Sequence, residues 1–256
     1  MTSPLWRRLA AEFLGTALLV TAVVGSGIMA SRLSPSDVGL QLLENSIATA
    51  FALTVLILMF GPISGAHFNP VVSAADWWLG RRGTDGFSAA ELGSYTLVQV
   101  VGAIAGALLA NAMFSVPLGM STEHRSDSHL WLGETVATAG LLLLIFALVR
   151  TGRAALAAPA VGAYIGAAYW FTSSTSFANP AVTVGRAFTD TFAGIAPSSV
   201  PGFVVAEIVG LMIAIAFIIA LFPAAHRSSD AVVLSDVDAE QADRAAASEA
   251  TGRTRG

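Results

Sequence analysis

The sequence contains no cysteine and no lysine. Without cysteine there is no disulfide, no thiol chemistry and no cysteine-based metal site. Without lysine, all 13 basic side chains are arginines. Charge is scarce altogether: 12% of the 256 residues are ionised, against about 25% in a soluble domain. With 55% hydrophobic residues and a mean hydropathy of +0.70, the chain reads as an all-α, multi-span membrane protein. No basic cluster suggests nucleic acid. The formal net charge of −4 says little about partners, because Asp230, Asp236, Asp238, Glu240, Asp243 and Glu249 all follow Arg227.

What is there is a series of long apolar runs. Spans are expected at Leu9–Ala30, Leu42–Gly61, Ala89–Phe114, Leu130–Val149, Leu156–Ser173 and Gly202–Phe222. The first follows Arg7-Arg8, as a secretory leader would, but it is longer than a leader core of roughly 7–15 residues and contains Glu12. It is therefore read as a retained span. A single membrane domain is expected over 1–223, and 228–256, rich in Ala, Asp and Ser without aromatics, as a disordered cytoplasmic tail.

Two polar loops interrupt the apolar pattern. Ser64-Gly65-Ala66-His67-Phe68-Asn69-Pro70-Val71 follows the second span, and Phe177-Ala178-Asn179-Pro180-Ala181-Val182 follows the fifth. Asn caps a helix by bonding its free N–H groups, and Pro suits a first turn. Each loop thus starts a helix, but the runs Val71–Leu79 and Ala181–Phe188 fall short of the roughly 20 residues a span requires. Paired half-helices in corresponding places mark a polar path through the protein.

The chain is therefore an internal repeat, about 1–115 and 130–223, each half having three spans and one Asn-Pro loop. An odd number of spans per half makes the repeat inverted. Glu12 with Thr16 and Glu134 with Thr138 recur in the first span of each half, four residues apart on one helix face. A carboxylate inside a bilayer needs a partner. A proton relay is one reading; the favoured one is an acceptor for loop amides that have no water. Arg7, Arg8, Arg81, Arg82, Arg150, Arg153 and Arg227 fall on one side, and Arg32, Arg125 and Arg186 on the other. That asymmetry puts both termini in the cytoplasm. Gly102/Gly106 and Gly162/Gly166 have the spacing of close helix packing. Trp77, Trp78, Trp131 and Trp170 suit interfacial anchors.

Candidate chemistry is thin. His124, His129 and His226 lie in loops or near span ends. His67 stands at membrane depth, without companions at metal-ligand spacing. It reads as a loop histidine bonding backbone carbonyls rather than a proton-coupling group. Val24-Gly25-Ser26-Gly27 superficially offers an intramembrane serine nucleophile, but no span carries the histidine it would need. No enzyme and no cofactor are expected.

Glu12-Phe13-Leu14-Gly15-Thr16, Ser64 to Pro70 and Asn179-Pro180-Ala181 resemble the signatures of the aquaporin and aquaglyceroporin (major intrinsic protein) family. The resemblance extends to about Phe222. It implies six spanning helices plus two half-helices, a homotetramer with one pore per subunit, and passive conduction of water or small neutral solutes through the cell membrane. The pore signature would be Asn69, Pro70 and Val71 with Asn179, Pro180 and Ala181. Both asparagines would donate to the permeant. Two half-helix N-termini, each worth about +0.5 charge, would repel cations and protons.

The sequence departs from the family pattern at Val71, where Ala is usual, and at Val182, where an outer arginine is usual. By the family's spacing the selectivity filter would be Thr49, Ala167, Ser176 and Val182; a gap in the fifth span would bring Tyr164 or Tyr169 forward instead. Such a filter has no aromatic ring, His or Arg. It suits glycerol-like polyols, or trihydroxylated metalloids such as arsenous acid, as well as water. Arg186, one turn beyond Val182, is expected as a solvated vestibule charge. The rival readings are a strict water channel, a proton- or ion-coupled transporter, an anion channel of the formate or nitrite type, and a structural membrane protein.

Overall fold

The computed structural model describes residues 3–80 and 87–223. The described helices are α1 (Leu5–Leu33), α2 (Val38–Ser64), α3 (Pro70–Gly80), α4 (Ala89–Met113), α5 (Ser128–Arg150), α6 (Ala157–Phe171), α7 (Pro180–Gly185) and α8 (Val200–Leu221). Six of them, counting the 3₁₀ turn Ala154–Leu156 with α6, are long and apolar enough to cross a membrane. α2 and α4 begin where polar residues supply the end bonds. Asp37 accepts the Leu40 amide at 2.9 Å before α2. Ser88 and Glu91 form a reciprocal capping box before α4. The expected tail, 228–256, lies outside the described residues.

α1 packs on α2 and α4, α5 packs on α6 and α8, and α2 meets α6 across the molecule. Glycine makes the tightest of these approaches possible. A Cβ on Gly106 would lie 2.1 Å from the Ala17 carbonyl oxygen, and one on Gly102 2.5 Å from that of Phe13. The other half repeats this: a Cβ on Gly210 would lie 2.7 Å from the Thr135 carbonyl oxygen. Outside the bundle, exposed side chains such as Leu14, Phe51, Val55, Leu97, Val136, Ile208 and Phe217 form the apolar surface that a bilayer requires.

The short helices α3 and α7 do not span. Eleven residues in α3 reach about 16 Å, half the hydrocarbon thickness of about 30 Å. α7 is shorter still and continues as a 3₁₀ turn over Arg186–Phe188. α3 packs on α4 and α8, and α7 on the same two helices, so the half-helices are wedged between the two halves.

Candidate functional site

Each loop reaches its half-helix through the same strained backbone. Ala66 and Phe68 have φ of 50° and 49°; Ser176 and Ala178, at the same offsets from the second asparagine, have 51° and 48°. Non-glycine residues rarely take up this left-handed conformation, which costs about 1–3 kcal/mol per residue. Buried carboxylates hold the loops in it. Glu12 accepts the His67 amide at 3.0 Å, the Phe68 amide at 2.7 Å and the Ser64 hydroxyl at 2.6 Å. Glu134 accepts the Phe177 and Ala178 amides at 2.8 and 2.6 Å. A third carboxylate, Glu207 on α8, accepts the Asn179 amide at 2.9 Å. All three are fully buried.

The asparagines are oriented from both ends of their side chains. Asn69 Oδ1 accepts the Val71 amide at 3.0 Å, and Asn179 Oδ1 accepts those of Ala181 and Val182 at 3.0 and 3.3 Å. That turns both amide nitrogens away from their own helices. Asn69 Nδ2 donates to the Ala178 carbonyl at 2.7 Å, and Asn179 Nδ2 to the Phe68 carbonyl at 2.8 Å. The two loops are thus cross-bonded. An amide NH₂ has two hydrogens, so each asparagine keeps one donor for the cavity it lines.

That cavity runs between the halves and has a volume of about 60 Å³, room for roughly four waters. Leu19, Val23, Leu53, Leu141, Ile145 and Ile165 give it apolar walls. Polar groups therefore occur only at intervals: His67 toward one mouth, the asparagines between, and Thr49, Tyr169, Ser176 and Arg186 toward the other. The His67 ring bonds the Ser73 hydroxyl at 2.9 Å and faces Asp76 across 3.9 Å. These side-chain partners stand where backbone carbonyls were expected.

Two expectations for the other mouth are corrected. Ala167 is exposed on the outside of α6 and does not line the cavity. Val161, Ile165 and Tyr169 make the inward face at helical spacing, and 167, two residues from both Ile165 and Tyr169, points nearly the opposite way. Tyr169 takes the place, and its hydroxyl lies 3.1 Å from Thr49 Oγ1. Arg186 is not a solvated vestibule charge. It is 3% exposed and lines the cavity with Thr49, Ser176 and Val182. The cavity lining at this mouth accordingly includes both an aromatic ring and an arginine.

Arg186 is held without a carboxylate partner among the described residues. Its Nε donates to the Ala193 carbonyl, and its guanidinium stacks on the Phe177 ring with Cζ 3.4 Å from the centroid. Among the described residues Nη1 and Nη2 have no acceptor, and Arg186 lines the cavity. Arg125, in the loop before α5, lies 5.5 Å from the same ring and donates to the Gly194 and Phe192 carbonyls at 2.9 and 3.4 Å. Burial pushes its guanidinium pKa down.

Comparison with known proteins gives a consistent result. A family model described as "Major intrinsic protein" matches residues 1–177. The chain is 51% identical over 213 residues to "Aquaglyceroporin AqpS" of Rhizobium meliloti, covering 83% of this chain and 88% of that protein. It is 34% identical over 225 residues to "Aquaporin Z" of Brucella melitensis, covering 80% and 93%. The X-ray structure of the aquaglyceroporin from Plasmodium falciparum superposes with a TM-score of 0.64 at 20% identity, covering 86% of this chain and 98% of that one.

Proposed function

This chain belongs to the major intrinsic protein family, and from that premise we propose how its cavity selects solutes. The protein is a multi-pass membrane channel, not an enzyme, and it passes water and glycerol-like solutes down their gradients. Asn69 and Asn179 each present one free N–H at mid-cavity and so bind the permeant as an acceptor. Thr49, Tyr169, Ser176 and Val182 form the constriction, and Arg186 supplies the donors that Val182 lacks. Alternating polar and apolar walls suit a small polyol, whose hydroxyls need donors and whose carbons need apolar contact. A trihydroxylated metalloid such as arsenous acid has the same chemistry and is included in the proposed range.

The crossed Asn69–Ala178 and Asn179–Phe68 bonds carry the reading. They bring two half-helix N-termini to one point of a buried path, an arrangement suited to neutral solutes and hostile to cations. The arginine asymmetry supports placement in the cell membrane with both termini cytoplasmic, and the family resemblance supports a homotetramer. Proteoliposome shrinkage and swelling with water, glycerol and arsenous acid in parallel tests the proposal. All three should cross faster than in empty vesicles, with no dependence on a proton or sodium gradient. Water flux without glycerol or arsenous acid flux would make this a strict water channel.

A further inference from the structure

The two halves hold their loop amides with equivalent glutamates, but the group behind each glutamate differs. Behind the first loop, Glu12 Oε2 accepts the Phe68 amide and also Gln99 Nε2, at 2.8 Å, from α4. Gln99 Nε2 lies 3.1 Å from the Ser73 hydroxyl as well. Behind the second loop, Glu207 on α8 stands in Gln99's place. Gln99-Val100-Val101-Gly102 is matched by Glu207-Ile208-Val209-Gly210. Gly102 packs on the carbonyl of Phe13, the residue after Glu12; Gly210 packs on that of Thr135, the residue after Glu134. Ser73 and Thr183, each four residues past its asparagine, bond Gln99 and Glu207 respectively.

An amide has thus been exchanged for an acid beside another acid. Glu207 Oε1 is fully used, accepting from Asn179 N at 2.9 Å and Thr183 Oγ1 at 2.8 Å. Oε2 is buried and has no donor. The neighbouring acid is Glu134, which holds the two preceding amides of the same loop. Ionised carboxylates only accept hydrogen bonds, and two of them in contact away from water do not both stay charged. In the first half Gln99 provides the missing N–H. In the second half only a proton can provide it.

We propose that Glu207 is a positioning residue that holds one proton on Oε2 and donates it to Glu134, and that this shared proton keeps the second loop, with Asn179 and Val182, in the conducting conformation. The cations facing the pair are Arg186, after α7, and Arg125, from the loop before α5, both disposed toward Glu134. α7 offers the Thr183 hydroxyl, α3 has Asp76, which is turned to His67, and the other ionisable groups of α5, His129 and Arg150, lie at its two ends. When hydroxide in the pore removes the proton, two facing carboxylates remain with no donor between them, and the loop is released. Permeability should therefore be lost in alkali.

The test uses the full chain in liposomes. Infrared spectra at neutral pH should show a protonated-carboxyl C=O band that either Glu207→Gln or Glu134→Gln removes, since each leaves one carboxylate beside an amide donor. From about pH 7 to about pH 10, wild-type water permeability should collapse, whereas Glu207→Gln, which copies the Gln99 arrangement, should keep a flat profile. A wild-type spectrum with no band removed by either substitution overturns the proposal, as does the same alkaline loss in Glu207→Gln. Should Glu207→Gln fail to assemble, the wild-type band and its absence from Glu134→Gln still decide. The permeability measurement rests on the channel reading and the infrared one does not. A protein that shows the band but conducts nothing overturns the channel reading and upholds the proton.

Discussion

The guanidinium of Arg186 lies face-on to the Phe177 ring, Cζ 3.4 Å from its centroid. Phe177 is two residues before Asn179, and Arg186 seven after it. The stack therefore closes the second loop back on the half-helix it leads into. Three successive carbonyls, Phe192, Ala193 and Gly194, hold this arginine and its neighbour Arg125. A cation can then stand over the constriction although position 182 is apolar.

Arg186→Ala should raise glycerol flux relative to water, because it removes both a bulky side chain and its free donors from the cavity lining. Arg186→Lys should not restore the original ratio, since an ammonium has neither the planar stack nor the fork. Val182→Arg adds a second guanidinium to the same space and should lower glycerol flux more than water flux. Parallel light-scattering measurements with the two solutes check all three. Unchanged ratios in both Arg186 variants would remove this residue from the filter.

The Asn-Pro loops, the paired glutamates and the spans could be read from the sequence because each depends on local residue chemistry. The filter could be read only in part. Thr49, Ser176 and Val182 line the cavity, but counting along the fifth span gave Ala167, which the phase of α6 turns outward. Arg186 looked exposed because the sequence does not show where a 3₁₀ turn brings a side chain down onto an aromatic ring. Glu207 is hidden inside an apolar run. The signal was present in the parallel between Gln99-Val100-Val101-Gly102 and Glu207-Ile208-Val209-Gly210, which becomes legible once the repeat is aligned on its glycines.

Helix packing makes a sharp test of glycine. Gly106→Ala places a methyl 2.1 Å from the Ala17 carbonyl oxygen. α1 and α4 must separate, at a cost of about 1–3 kcal/mol typical of overpacking. Gly93→Ala, on the same helix, meets nothing within 4 Å and should be neutral or slightly stabilising. Thermal unfolding in detergent should lower the midpoint for the first variant and spare the second.

Glu12→Gln should damage assembly more than selectivity. Glu12 accepts from two amides, a hydroxyl and Gln99. A glutamine offers one acceptor oxygen and turns an NH₂ toward donors, leaving at least one buried N–H unpaired at about 1–3 kcal/mol. Lower yield of intact oligomer, with the water-to-glycerol ratio preserved in what survives, is the expected result. Full assembly with abolished transport would contradict it.

Protons should remain excluded, in the wild type and in Arg186→Ala alike. Both half-helix N-termini still meet at the asparagines, and an ion there loses its hydration between apolar walls. Liposomes carrying a pH-sensitive dye inside should acidify no faster than empty ones under an imposed gradient. A faster response in Arg186→Ala alone would transfer the barrier from the half-helices to the arginine.

The crossed asparagine bonds join residues 109 and 111 positions apart in the chain. When the ribosome has finished α3, the carbonyl that Asn69 must grip has not been made. Nor have α7 and α8, which wedge α3 in place. The first loop consequently waits in a half-built protein, its left-handed Ala66 and Phe68 held by Ser64 and Glu12, until the second loop arrives. The pore is not two half-channels brought together; its centre comes into existence at one moment, late in synthesis, for both halves at once.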